Sequence, residues 1–144
     1  MSRQRFGIIS VAGVALLLAV APLGVLAATM TTITLDSNPQ QETFTTTGGV
    51  LCPSGTATTD FHHFAGGGQA GSFHLTKTLV CADGSGTFTI AVNAATRSGS
   101  PIDQGGWAVL SGTGDYATLS GGGKLVGTYY EGGIIDVYTG SVQT

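Results

Sequence analysis

Charge is scarce in this 144-residue chain: five lysines and arginines stand against eight aspartates and glutamates, 9 % of all residues, for a net charge of −3. Nucleic-acid binding needs clustered cations that displace counterions from phosphates, so nucleic acid is excluded as a partner. Prolines number only four and no Gly-x-y period organises the 24 glycines, which excludes a collagen-like chain. A hydrophobic content of 42 % is too high for wholesale disorder. Helical periodicity is missing as well: beyond Thr29 no run repeats apolar residues at i, i+3, i+4 and i+7. Neither a GxSxG elbow nor an HExxH pair occurs, so the usual hydrolase signatures are absent. The string Gly112-Thr113-Gly114-Asp115-Tyr116-Ala117 imitates a dinucleotide fingerprint without the βαβ unit that makes one work, and Gly123-Lys124 lacks the earlier glycine and the following hydroxyl of a phosphate loop. No catalytic residue is assigned on these grounds, no cofactor is expected, and a binding or structural role is favoured over catalysis.

What is present begins with a leader. Arg3 and Arg5 precede an apolar run from Phe6 to Leu26, and Val25-Leu26-Ala27 places small side chains where a signal peptidase reads them. Residues 1–27 are read as a helical secretory signal peptide cleaved near Ala27, and residues 28–144 as one domain. The alternative is a retained anchor, because the 21 residues of the run suffice to cross a bilayer. Pro22 and Gly24, which break the helix before the Ala27-Ala28 pair, favour cleavage. The exported chain keeps Lys77, Arg97 and Lys124 against eight carboxylates and has no membrane segment. Its two cysteines, Cys52 and Cys81, are expected to form a disulfide in an oxidising compartment.

Short β-prone runs separated by glycine-rich breaks fill the rest: Met30–Leu35, Glu42–Thr47, Ala57–Phe64, Ser72–Cys81, Gly86–Thr96, Trp107–Ser111, Lys124–Tyr130 and Ile134–Val142. Alternation is clearest where Phe73, Leu75 and Leu79 interleave with His74, Thr76 and Thr78. Strands with one dry and one wet face belong in antiparallel sheets, and closing eight of them removes the open edges. The expected fold is all-β: a single closed antiparallel eight-stranded barrel preceded by the helical signal peptide.

A hairpin centred on Gly68 would set Asp60 opposite Thr76, Phe61 opposite Leu75, His62 opposite His74 and His63 opposite Phe73. One face then collects Asp60, His62 and His74, a weak candidate for a zinc or copper site that lacks a fourth ligand, so no metal is assigned. The dry face collects Phe61, His63, Phe73, Leu75 and Leu79, and with them Lys77, which must either find a buried carboxylate or be turned outward by a bulge. Most aromatics should be core. Trp107 and Tyr138, with Asp136 and Lys77, are the candidates for a ligand site at one mouth of the barrel. Repeated Thr-x-Thr pairs, such as Thr76 with Thr78 and Thr87 with Thr89, suit plain strands and also a polymer-binding or adhesion surface.

The stretch WAVLSGTGDYATLSGGGKLVGTYYEGGIIDVYTGSV resembles the C-terminal part of the barrel shared by dirigent proteins and allene oxide cyclases. The piece LCPSGTATTDFHHFAGGG…LTKTLVCADGSGTFTI resembles small exported bacterial proteins of the same type. The resemblance spans most of Leu51 to Val142 and is carried by glycine, threonine and small residues. It implies an eight-stranded barrel with a central cavity. In that superfamily dirigent proteins guide the coupling of phenoxy radicals, cyclases close an unsaturated fatty-acid epoxide, and both hold an apolar substrate inside the barrel. At the GTGDYA turn Gly112 and Gly114 permit positive φ, and Tyr116 can plug the barrel end.

The resulting expectation is a secreted, disulfide-closed barrel that binds a small hydrophobic or aromatic molecule or serves a structural role. The competing readings are a cofactor-free cyclase or isomerase using Asp136 with Tyr138 or Lys77, and a surface adhesion module. Oligomerisation is left open.

Overall fold

The computed structural model describes residues 27–67 and 70–144. They form eight antiparallel strands: β1 (Thr29–Ser37), β2 (Glu42–Thr47), β3 (Ser54–Gly67), β4 (Ala70–Cys81), β5 (Thr87–Thr96), β6 (Ile102–Gly112), β7 (Ser120–Tyr130) and β8 (Gly133–Gln143). Each strand pairs with the next, and β8 returns to β1 from Thr29↔Val142 to Ser37↔Ile134, so the sheet is a closed barrel. Closure leaves the β1 and β8 edges no free row of N–H and C=O groups. The leader expected over residues 1–27 lies outside the described residues apart from Ala27, as does Gly68 at the hairpin centre.

Strand alternation builds the interior directly. Ile33, Leu35, Phe44, Leu79, Phe88, Ile90, Val92, Tyr138 and Val142 are fully buried inside the tube. All eight expected strands are present, but β6 and β7 start earlier than expected, at Ile102 and Ser120. The glycines that suggested breaks before these two strands, Gly105 with Gly106 and Gly121 to Gly123, are strand residues. Trp107 pairs with Gly123, and Gly123 with Gly140, so the largest side chain of the interior has two neighbours across the strands without side chains. Alternating large and small residues in this way fills a narrow barrel.

The two ends of the barrel differ. One carries the Cys52–Cys81 disulfide and an aromatic plug: Phe44 meets Phe88 edge-on at 6.0 Å, and Phe88 meets Tyr116 at 5.4 Å. Tyr116 sits on a single 3-10 turn, Gly114–Tyr116, that folds back over the opening. Gly114 has φ +59, and a Cβ there would lie 2.3 Å from the Ser85 carbonyl oxygen. Gly112 does not use the positive φ open to it. It is needed instead because a Cβ would meet the Tyr116 carbonyl oxygen at 2.0 Å.

The hairpin register follows the expected pairing through Asp60↔Thr76 and Phe61↔Leu75, then shifts at a bulge to His63↔His74 and Phe64↔Phe73. The expected His62–His74 pair is therefore corrected. His62 becomes the extra residue of the bulge and bonds Thr76 Oγ1 at 3.0 Å, while His74 Nδ1 meets Asn93 Oδ1. Among the described residues no group of three potential ligands assembles, and Asp60, His62 and His74 do not make a metal centre. The dry face expected for His63 is also corrected, since the bulge sets it opposite His74 and it is exposed; Phe61 stays on the Leu75 face but is exposed as well. Pairing of β2 with β3 stops at Thr43↔Thr56, so the outer half of β3 has β4 on one side and solvent on the other.

Candidate functional site

Among the described residues the end opposite the disulfide is not plugged. A cavity of about 350 Å³ lies there, beneath the β1–β2, β5–β6 and β7–β8 turns and beside the β3–β4 hairpin. Its walls are apolar, from Phe61, Phe64, Phe73, Leu75, Val92, Leu125 and Ile134, and its floor is polar, from Ser37, Glu42, Thr59, Lys77, Asp103, Asp136, Tyr129 and Tyr138.

Lys77 is the hub of this floor. It is 4 % exposed because its position on β4 shares the inward parity of Leu75 and Leu79. Its Nζ donates to Thr59 Oγ1 at 2.8 Å, to Glu42 Oε1 at 3.2 Å and to Ser37 Oγ at 3.3 Å, and lies 3.8 Å from Asp136 Oδ2. Ser37 and Thr59 in turn donate to Glu42 at 2.8 and 2.7 Å. Of the two fates open to a lysine on an inward face, a buried carboxylate partner is the one realised.

The three carboxyl groups differ in surroundings. Burial pushes Glu42 up, but the hydroxyls of Thr59 and Ser37 and the Lys77 ammonium outweigh it and hold its pKa below the ordinary value. For Asp136 burial wins: its pKa is raised despite the nearby Lys77 charge and the Tyr138 hydroxyl, which donates to Oδ2 at 3.2 Å. Asp103 is 1 % exposed; its Oδ2 accepts the Tyr129 hydroxyl at 2.5 Å, and its Oδ1 is buried without a partner among the described residues. Burial and the Asp103 carboxyl push Tyr129 up to about 12, and burial with Asp136 raises Tyr138.

The raised Asp136 pKa gives a signed prediction. A carboxyl that holds its proton more tightly when folded loses stability as pH rises from its unfolded pKa through its folded one. Asp136→Asn, which cannot ionise, should therefore gain on the wild type between pH 4 and pH 7, as read by urea unfolding at each pH. A difference independent of pH would contradict the burial assigned to Asp136.

Of the four residues anticipated for a ligand site, Lys77, Asp136 and Tyr138 line this cavity together. Trp107 is elsewhere, buried deeper in the barrel, edge-on to Tyr138 at 6.2 Å and with Nε1 3.4 Å from the Thr139 carbonyl oxygen. Glu42, Asp103 and Tyr129 were not anticipated. Their signal is parity: Glu42 lies two residues before Phe44, Asp103 four before Trp107, and Tyr129 four after Leu125, all inward positions.

Fold and site together define a closed eight-stranded barrel, plugged and cross-linked at one end, with a small charged-floor cavity at the other. Comparison with known protein families, with curated proteins and with solved structures finds no match.

Proposed function

We propose that this protein is an exported barrel that binds a small apolar or aromatic molecule in the cavity at its unplugged end. The observation that carries the reading is the cavity itself, about 350 Å³ with apolar and aromatic walls and a few convergent polar groups. That combination is the usual form of a small-molecule site, where walls supply affinity and polar groups supply orientation. The resemblance to the dirigent and allene oxide cyclase barrels points the same way, since those proteins hold apolar substrates inside the tube. Export is supported by the leader-like start of the sequence and by the Cys52–Cys81 bond, which suits an oxidising compartment.

A second reading is a cofactor-free cyclase or isomerase. What favours it is that Asp136, with its raised pKa, faces the cavity beside Tyr138 and Lys77. Catalysis would add turnover to binding, so the binding experiment comes first. Titration with a hydrophobic fluorophore should saturate at one site per chain. Thr96→Trp, at a half-buried lining position on the mouth, should abolish that binding while the melting temperature stays within a few degrees. Absence of saturable binding by the wild type would reduce the protein to a structural barrel.

A further inference from the structure

We infer that the ligand of this cavity carries a protonated amine, which donates hydrogen bonds to Asp103 while its apolar body lies against Phe61, Phe64 and Phe73. The inference rests on the cavity-binding reading and names its ligand class.

Three strands set up the site. Asp103 on β6, Gly127 on β7 and Asp136 on β8 lie directly across from one another in register. A Cβ on Gly127 would sit 2.6 Å from Asp136 Oδ1, so the carboxyl group occupies the space that the glycine leaves free. Two acidic side chains thus face inward on either side of a residue that has none, at the cavity floor.

Their charge is not balanced from within. Among the described residues the cavity lining holds Glu42, Asp103 and Asp136 and, as its one cation, Lys77. All three ammonium N–H groups of Lys77 go to Ser37, Glu42 and Thr59, leaving Asp136 a distant Coulomb contact at 3.8 Å. Asp103 receives one hydroxyl, from Tyr129, and its Oδ1 has no donor among the described residues despite complete burial. A buried carboxylate oxygen without a donor is costly, and a group bringing both N–H donors and positive charge removes that cost. The same excess of negative charge repels carboxylate and phosphate ligands. Aromatic rings at the mouth accept either an aromatic body or the flank of a cation.

A matched series on the full chain tests this: tryptamine, its alcohol analogue tryptophol, and indole-3-propionate, titrated calorimetrically at pH 7. Tryptamine should bind about tenfold more tightly than tryptophol, with indole-3-propionate weakest. Asp103→Asn should bring the tryptamine-to-tryptophol ratio close to unity. Tryptophol binding as tightly as tryptamine to the wild type overturns the inference whether or not the variant folds, as does tighter binding of the acid. If none of the three binds while the hydrophobic fluorophore does, the amine is overturned and the cavity reading stands. If the fluorophore fails too, both fall.

Discussion

Replacing Lys77 with methionine should cost the protein about 3 to 5 kcal/mol of stability at pH 7, the largest effect expected of any single substitution in the barrel floor. The side chain is 5 % exposed and its partner Glu42 only 18 %, so neither charge can turn to bulk water when the other is removed. Methionine fills a similar volume with an apolar chain, which leaves the loss to charge. Glu42 and Asp136 lose their common counter-ion, and Ser37 and Thr59 lose the donor that their oxygens accept.

The pH dependence carries the sign. In the wild type the folded pKa of Glu42 lies below its ordinary value, so its contribution is present above the unfolded pKa and is lost as pH falls through the folded one. Without Lys77 that pull weakens, and protonating the carboxyls relieves the variant. The deficit of Lys77→Met should shrink from pH 7 to pH 4, and Glu42→Gln in the same chain should recover part of it at pH 7. Urea midpoints at both pH values measure this. A loss under about 1 kcal/mol would mean that the pair behaves as an ordinary surface ion pair.

The second large effect belongs to the other end of the barrel. Replacing Cys52 and Cys81 together by alanine should lower stability by about 3 to 4 kcal/mol, the chain-entropy value for a loop of this length. The bridge spans 29 positions and ties the segment before β3 to the last residue of β4. Both cysteines are buried in the core at that end, so some packing is lost in addition. The disulfide and the cavity lie at opposite ends, and the cavity walls contain neither cysteine. Fluorophore binding below the unfolding transition should therefore be unchanged. A stability loss below about 1 kcal/mol, or a native protein that no longer binds, would contradict this separation.

Much of the barrel was legible because its information is local. The alternation of Phe73, Leu75 and Leu79 with polar residues marks an inward face without reference to any other strand, and the same parity puts Lys77 inside. Tyr116 as the plug was readable from its place just after two glycines in a tight turn. The His62–His74 pairing was not, because one extra residue after Phe61 shifts the ladder, and the hairpin sequence carries no mark of where a bulge relieves twist. Glycine misled twice in the same way. Gly105 with Gly106, and Gly121 to Gly123, look like breaks in isolation and are strand interior: Gly123 leaves Trp107 room across the sheet, and a Cβ on Gly105 would meet the Asn93 carbonyl oxygen at 2.0 Å.

The floor of the cavity shows the same division. That Glu42, Asp103 and Asp136 point inward follows from period-two parity along each strand, which is written in the amino-acid order. That Glu42 shares a lysine, that Asp136 lies over Gly127, and that Asp103 keeps an oxygen without a donor depend on ring closure and register. Those bring together residues on different strands, 35 positions apart for Glu42 and Lys77. A strand's own residues decide which way each side chain faces, since that is a property of the extended backbone. Which charges meet, and which are left without a partner, is decided only when eight strands align around one axis.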